Sequence, residues 1–384
     1  MAVIDEKSYE RVTSSLRERI RADRGLLDKL RQDVRTHLTN SKRIQPRSTT
    51  AISLVGTDGG NNRVQFDPFL AQVVRVVDSS NNELCFDIVT PTSDREAVSR
   101  THIGGDGVPL TPLGRMMAYL GVRHLWDLSP MIQPPHREAA PSWVQVYREL
   151  MEWAVLFCVV REKDFGTDTV IVCDGFLRSK VFKGDLFLKY RGGLDEAIKH
   201  QQEKNRRSIF IVGVAKHSKV LQQYRLAMAL EGVLRTDYPA FVEVSRELEK
   251  EVYKWDEYAR GDEREGEGEA NKFVAGKMFF VKFGSRPRDP IWPVDLLISQ
   301  VGEAPRTMGY LLADATDGFP VPFYPQCLQK AHENAALVEF DMDILQGEIV
   351  GSIREALGVD QDILDEMRLM DADPSQRRYS GGGA

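Results

Sequence analysis

The chain has 384 residues, of which 42% are hydrophobic and 28% are charged, and its formal net charge is −6 at pH 7. This length and balance are typical of a folded protein with a sizeable core, and they exclude a largely disordered chain. The net negative charge argues against a protein that coats nucleic acid over its whole surface, while leaving room for a local basic groove.

The cysteine pattern and the apolar runs narrow the class further. The four cysteines lie far apart without a C-x-x-C spacing, so neither a zinc site nor a disulfide framework is predicted. No apolar run reaches the length of a membrane span, and the first residues lack the basic and apolar signature of a secretory signal. We therefore expect a cytoplasmic protein that does not enter a membrane.

A helix is predicted at the start of the chain. Residues 4–38 are highly charged and carry apolar side chains at helical intervals from Val12 to Val34. This spacing predicts one long amphipathic helix with a narrow apolar stripe, and such a stripe needs a partner surface. The pattern does not distinguish packing on the chain's own body from a contact in a dimer.

Three β-rich segments and a region rich in Pro, Gly and Asp follow the helix. The segments AISLVG, PFLAQVVRVVD and ELCFDIVT are separated by turn residues, which predicts an antiparallel meander. The composition of residues 91–140 predicts an insertion of mixed structure with a short helix around residues 112–120. Their sequence indicates no function.

Helices and buried strands then alternate along the chain. Helices are predicted from Ser142 to about Arg161 and over LDEAIKHQQEKNRR, and buried strands over DTVIVCDGFL and SIFIVGVAK. Two further helices are predicted between Lys219 and Trp255, split near residues 236–239.

The last third of the chain completes the predicted fold. An acidic, Gly-rich loop at residues 260–272 is too polar to order itself. Strands are predicted over KMFFVKF, DLLIS and MGYLLAD, and a helix opens at Pro325, since proline is tolerated in a first helical turn. The whole pattern predicts an α/β fold with a mixed sheet flanked by helices.

Acidic residues end two of the apolar strands. Asp58 lies in LVGTDGG and Asp174 lies in VIVCDGF. Each aspartate is at the carboxyl end of a predicted apolar strand and is followed by glycine. A single Asp-Gly is more typical of a turn. Two of them at strand ends, with small neighbours that let a backbone approach a phosphate, are more informative. Phosphodiester hydrolysis with divalent ions needs such converging carboxylates.

Two more elements offer candidate site residues. The helix before Asp174 carries Glu149 and Glu152; most helix glutamates are solvated, and Glu152 is preferred because apolar neighbours surround it. Tyr324 and His332 bracket the start of the late helix. A histidine there is able to ligate a metal or transfer protons near neutral pH, although a lone helical histidine is more often structural.

Basic residues follow the same strand ends. Lys216 and Lys219 come after the strand IFIVGVA, and Arg178 comes after Asp174. Such side chains beside an acidic cluster are suited to holding phosphates, and a solvated rim is the competing interpretation. The chain has no phosphate loop, dinucleotide fingerprint, HExxH or GxSxG motif, so we do not expect it to hydrolyse ATP.

In their order, these blocks resemble the NurA nuclease family. The blocks read VGTDGG, ELMEWA, VIVCDGF, VGVAKHSK and YPQCLQKAHENA, and they span roughly residues 50–340. The resemblance implies a ribonuclease-H-like sheet with a long N-terminal helix and insertions. It further implies an N-terminal helical segment at residues 1–45 with a possible dimer contact, a nuclease domain at residues 46–370 and a flexible tail at residues 371–384.

The same resemblance implies an activity and partners. NurA-type proteins are homodimeric, Mn²⁺- or Mg²⁺-dependent DNA nucleases that work beside a HerA-type hexameric ATPase. For this chain the resemblance implies an exonuclease of 5′–3′ polarity with single-strand endonuclease activity, in DNA end processing or phage defence. The alternatives are a non-catalytic DNA clamp or adaptor for a translocase, and a ribonuclease or guide-dependent effector that prefers RNA or RNA–DNA hybrids.

Carried over position by position, the resemblance assigns the site. Asp58, Glu152, Asp174 and His332 would hold two metal ions, with Tyr324 nearby as a further catalytic residue. Lys216, Lys219 and Arg178 would bind DNA. Phe176, where the family often has a small residue, and the acidic loop at residues 260–272 depart from the family pattern.

Overall fold

A computed structural model describes residues 5–38, 40–56, 63–66, 69–253 and 272–335, with scattered residues between 344 and 358. Side chains are not described for residues 52–71. Asp58, the tail at residues 371–384 and nearly all of the acidic loop at residues 260–272 lie outside this description.

The strands are β1 Lys42–Arg43, β2 Thr50–Gly56, β3 Arg63–Phe66, β4 Phe69–Asp78, β5 Glu83–Val89, β6 Thr169–Asp174, β7 Ile209–Val214, β8 Ala240–Glu243, β9 Gly276–Lys282 and β10 Ile291–Leu297. The helices are α1 Glu6–Ala22, α2 Arg24–His37, α3 Arg95–His102, α4 Pro112–Leu120, α5 Leu125–Leu128, α6 Trp143–Glu162, α7 Leu186–Asn205, α8 Lys219–Glu231, α9 Arg246–Val252, α10 Ala304–Thr316 and α11 Gln326–Ala335. A 3₁₀ helix, Ile298–Glu303, precedes α10.

The strands form one mixed sheet in the order β1-β8-β9-β10-β7-β6-β2-β4-β3, with β5 also paired to β4. β2, β6 and β7 run parallel to one another, and the remaining pairs are antiparallel. The predicted meander is confirmed, because β4 pairs antiparallel with both β2 and β5. The short strand β3 adds to the edge of β4 that β2 occupies, since β5 takes the other edge.

Helices cover both faces of this sheet. Successive residues of β6 point to opposite faces, so Ile171 packs with α4, α6 and α7, whereas Val170 and Val172 pack with α10 and α11. A strand buried on both sides needs apolar residues at every position. The near-continuous apolar runs of β6 and β7 therefore correctly predicted that both strands are buried on both faces of the sheet.

The N-terminal helix is divided in two. α1 ends at Ala22 and α2 begins at Arg24, with Asp23 as the cap residue between them, so the prediction of one continuous helix is wrong. Val34 and Leu38 join a core with residues of α8, and Glu231 of α8 binds Arg31 and Arg35 at 2.5 and 2.6 Å. The second half of the apolar stripe thus packs on the chain's own body.

Two other predicted elements need correction. MGYLLAD is part of the helix α10, because Met308, Leu311, Leu312 and Ala315 recur at helical spacing and are buried together. The stretch between α8 and α9 contains the strand β8, which the break at residues 236–239 concealed. The short helix predicted near residues 112–120 is confirmed as α4. Among the described residues, we find no helix with the length and apolar character of a membrane span.

Candidate active site

The carboxyl ends of two parallel strands define the candidate site. In the pairing of β2 with β6, Leu54 lies opposite Cys173, so β2 ends at Gly56 beside the end of β6 at Asp174. Asp58 follows two residues after Gly56 and is itself outside the described residues. The backbone of β2 therefore leads towards the end of the sheet at which Asp174 lies.

The turn after Asp174 depends on two glycines. Gly175 has a positive φ of 96°, a conformation that residues with a side chain rarely adopt. A side chain at Gly213, on the neighbouring strand β7, would collide with the Gly175 carbonyl oxygen. The Asp-Gly sequence is thus a sharp turn, as the simpler interpretation of the motif predicted, and this turn leaves Asp174 at the sheet edge.

A histidine and a lysine from distant parts of the chain meet Asp174. His332 Nε2 lies 3.2 Å from Asp174 Oδ2, and Lys216 Nζ lies 3.0 Å from the same His332 nitrogen and 4.0 Å from the carboxylate. A single ring nitrogen either donates to Asp174 or accepts from Lys216. The position of the ring proton therefore decides whether Nε2 binds Asp174 or Lys216.

The electrostatic environment keeps Asp174 ionised. Burial acts to raise the pKa of this carboxyl, but the hydrogen bond and charge of His332, followed by the charge of Lys216, outweigh burial, so the pKa lies below its ordinary value. Near neutral pH the group is therefore a carboxylate, which is the form that accepts hydrogen bonds and binds cations.

Tyr324 faces the same carboxylate. Its side chain is buried beside Trp292, with 4.8 Å between the ring centroids. The hydroxyl lies against the Asp174 carboxylate, and this contact helps to lower the pKa of Asp174. Burial, and then the negative charge of Asp174, raise the pKa of Tyr324 well above its ordinary value. Tyr324 therefore keeps its proton and offers a hydrogen-bond donor next to Asp174.

The two glutamates of α6 have different surroundings. Glu149 accepts hydrogen bonds from Ser179 Oγ at 2.6 Å and from Trp153 Nε1 at 3.3 Å. Glu152 is partly exposed and lies 3.8 Å from Arg148. Burial raises the pKa of the Cys173 thiol to about 12, and the charges of Glu152 and Asp174 add to this shift. Glu152 is thus on the side of α6 that faces the end of β6.

Asp174 and His332 together offer an oxygen and a nitrogen donor, a set that suits Mn²⁺ better than a purely oxygen-coordinated ion. Within the described ranges, no group of three His, Cys, Asp or Glu side chains is arranged to hold a metal ion. The donors present therefore fit part of a metal site.

The basic residues predicted to bind phosphates have different positions. Lys216 belongs to the site, two residues beyond β7, and Lys219 is exposed as the first residue of α8. Arg178 is 2% exposed and is held by Asp295 at 2.9 Å and Glu249 at 2.6 Å. The prediction that Arg178 binds DNA is corrected, because a buried and paired guanidinium does not reach a ligand in solvent.

Sequence reasoning missed this buried ion cluster. Asp295 is fully buried in β10, and its carboxylate also accepts a hydrogen bond from the backbone N–H of Leu177 at 3.2 Å. The signal was an aspartate inside the apolar segment VDLLIS, since a buried acid requires a partner. The cluster fixes the loop that follows Asp174 onto the neighbouring part of the sheet.

No family model and no curated protein matches the chain. A crystal structure of endonuclease V from Streptomyces avermitilis is similar over 82% of this chain and 90% of that chain, with 12% sequence identity and a TM-score of 0.22. A likeness at this level carries no argument about activity, so the candidate function rests on the residues of this chain.

Proposed function

We propose that this chain is a metal-dependent DNA nuclease of the NurA type. The observation that carries the proposal is the meeting of Asp174, His332 and Lys216 at the sheet edge to which β2 also leads. Acid, imidazole and ammonium groups at one edge supply metal ligands together with a countercharge for a phosphodiester.

The order of the central strands supports a ribonuclease-H-like core. The order β5-β4-β2-β6-β7 combines an antiparallel meander with two further strands parallel to its first. This combination supports the ribonuclease-H-like sheet that the family resemblance implies. Asp174 ends β6, and Asp58 follows the parallel strand β2 in the sequence.

In the proposed reaction, Asp58, Glu152, Asp174 and His332 would hold two Mn²⁺ or Mg²⁺ ions. When bound there, the ions would supply an activated water for in-line attack and charge stabilisation of the departing oxygen. Asp174 contributes a carboxylate that is ionised near neutral pH. Lys216 would offset the charge of the phosphate, and the buried hydroxyl of Tyr324, which keeps its proton, would orient the Asp174 carboxylate.

The proposed setting is DNA end processing or phage defence, where the chain would act as a homodimer beside a HerA-type ATPase. The test uses purified protein and end-labelled DNA with Mn²⁺, Mg²⁺ or chelator, with and without such an ATPase. We expect metal-dependent release of nucleotides from wild type. Asp174→Asn is expected to abolish it, and Asp164→Asn, an exposed acid at the opposite end of the β6 region, is expected to retain it.

The assay separates the alternatives. DNA binding without cleavage under every cation condition, alone and with the ATPase, would indicate the clamp or adaptor function. Faster cleavage of RNA or RNA–DNA hybrids than of DNA would identify RNA or the hybrid, and not DNA, as the substrate. Full metal-dependent activity in Asp174→Asn would remove Asp174 from the catalytic site.

A further inference from the structure

An open cavity of about 800 Å³ lies between helices on one side of the sheet. It is bounded by the end of α4, the start of α5, the loop between β6 and α7, and the first turn of α7. Its charged and polar lining comprises Arg123, His124, Asp127, Lys183, Asp185 and Lys189. Arg123, His124 and Asp127 belong to residues 91–140, the insertion for which the sequence indicated no function.

The cavity carries more positive than negative side chains in a chain whose net charge is −6. Arg123, Lys183 and Lys189 face two carboxylates, those of Asp127 and Asp185. Lys189 Nζ donates one hydrogen bond to the Leu120 carbonyl at 3.1 Å, which leaves two of its three donors.

Two of the basic side chains are available to a ligand. Arg123 and Lys183 are exposed, and within the described part of the chain neither side chain makes a hydrogen bond or an ion pair. In this cavity an arginine thus offers a planar set of N–H donors and a lysine offers a compact charge. Phosphate is the anion that such a combination recognises well.

The cavity lies at the same end of the sheet as Asp174 but on the opposite face, because α4 and α7 pack with Ile171 whereas Val172 and Asp174 face α11. The chain leaves β6 at Asp174, and α7 begins at Leu186 after the intervening loop. A helix of 20 residues spans about 30 Å, so α7 carries the chain back across the sheet. β7 then starts beside the start of β6, where Thr169 N donates to the Ser208 carbonyl at 2.9 Å. The first turn of α7 is therefore near the carboxyl end of β6.

We propose that this cavity binds a phosphate group, and that in the working protein it belongs to a nucleic-acid strand whose reacting phosphate lies at Asp174. This inference rests on the proposed function for the identity of the strand. The strand would pass over the carboxyl ends of β6 and β7 from one face of the sheet to the other, so that the cavity holds a phosphate of the same strand away from the reacting bond. Residues 121–127 then contribute to substrate binding, and the insertion gains a function.

The test measures binding in chelator, where metal-dependent cleavage cannot occur. Anisotropy of a labelled single-stranded oligonucleotide is titrated for wild type and for the double variant Arg123→Ala/Lys183→Ala at several salt concentrations. We expect the Kd of the double variant to rise about tenfold, and its log–log salt slope to fall by about 0.7, because the contact with one phosphate is lost. A second arm titrates inorganic pyrophosphate by calorimetry.

Two matched variants control for folding and for general charge. Lys204→Ala removes an exposed lysine at the opposite end of α7 and is expected to leave affinity and slope unchanged. Arg123→Lys/Lys183→Arg keeps both charges and is expected to keep most of the affinity. Thermal melts of all variants are expected to match wild type, since the altered side chains are exposed.

Each outcome is decisive. Weaker DNA binding in the alanine variant supports a strand phosphate, whereas loss of pyrophosphate binding alone supports a free phosphate or nucleotide in the same cavity. Unchanged binding of both probes overturns the site even if wild type cleaves DNA. If the alanine variant loses DNA binding but wild type never cleaves, the phosphate site stands and the nuclease proposal fails.

Discussion

His332 Nε2 lies 3.2 Å from the carboxylate of Asp174, although the two residues belong to a late helix and a central strand. α11 is held in place by its buried residues Cys327, Leu328 and Ala331, which pack against the sheet and α10. Arg75 of β4 also donates a hydrogen bond to the Asn334 carbonyl at 2.8 Å. His332 is therefore positioned by the docking of the whole helix.

Replacing His332 tests this relationship. We expect His332→Ala to lower metal-dependent cleavage by about 10²-fold or more, because a group that ligates or transfers protons typically contributes this much. His217→Ala is the control, since His217 is exposed on the neighbouring loop. Cleavage rates of both variants are compared under single-turnover conditions. Equal rates for His332→Ala and wild type would leave His332 with a structural role only.

Substitutions of the two glutamates of α6 are expected to have different effects, one on stability and the other on activity. Glu149→Ala removes the acceptor for Ser179 and Trp153, so the free energy of unfolding should fall by about 1–3 kcal/mol. Glu152→Ala should leave unfolding nearly unchanged and reduce cleavage. Urea denaturation and cleavage assays on both variants measure the two effects. The reverse pattern would make Glu149 the site residue.

Arg178→Met is expected to destabilise the fold. The substitution leaves Asp295 and Glu249 buried without their cation, and breaking a buried ion pair in this way costs about 3–5 kcal/mol. Denaturation curves of the variant should show this loss, and Arg178→Met/Asp295→Leu should recover part of it. A stable Arg178→Met protein with weakened, less salt-dependent DNA binding would instead restore Arg178 to the DNA-binding surface.

The buried residue His102 predicts a pH dependence of stability. His102 Nδ1 lies 2.7 Å from Thr111 Oγ1, and Nε2 lies 2.8 Å from the hydroxyl of Tyr147, which itself donates to Asp87. Because the Tyr147 proton is used for Asp87, Nε2 is the donor to Tyr147 and Nδ1 accepts from Thr111. The neutral ring thus has both nitrogens satisfied, and burial lowers the pKa of His102 from 6.5 to about 4.

The sign of the effect follows from where protons bind. Between these two pKa values the unfolded chain binds a proton that the folded chain does not, so stability is present above pH 6.5 and is lost as pH falls towards 4. The loss attributable to His102 is about 3 kcal/mol. Urea denaturation across this range measures it, and His102→Gln should flatten the dependence. An unchanged profile in that variant, or the same flattening in the exposed-residue control His200→Gln, would contradict this assignment.

The buried strands were predicted well from the sequence because the short length and apolar composition of a segment are enough to identify such a strand. β6 and β7 are short, apolar at nearly every position and bounded by polar residues. The seven residues MGYLLAD look equally apolar, and their helical spacing appears only over the thirteen residues of α10. β8 has only four residues and follows Pro239, so the local pattern resembles a break between helices.

The candidate site was only partly predictable, for a different reason. Asp174 and Tyr324 were singled out by strand ends and helix starts. The contact of Lys216 with His332 joins residues 116 positions apart, and no local pattern reports the docking that creates it. Arg178 was misassigned because its partner Asp295 is 117 positions away. An arginine near an acid indicates an exposed phosphate contact or a buried ion pair, and burial decides between them.

The late position of α11 has a consequence for the synthesis of the protein. On the ribosome, Asp174 and Lys216 emerge well before His332, so the nascent chain completes its strands β6 and β7 while this cluster still lacks its imidazole. Chemistry that needs all three groups begins only once translation has passed α11 and the helix has docked. Fragments truncated ahead of that helix would lack His332 and with it one of the ligands of the proposed metal site.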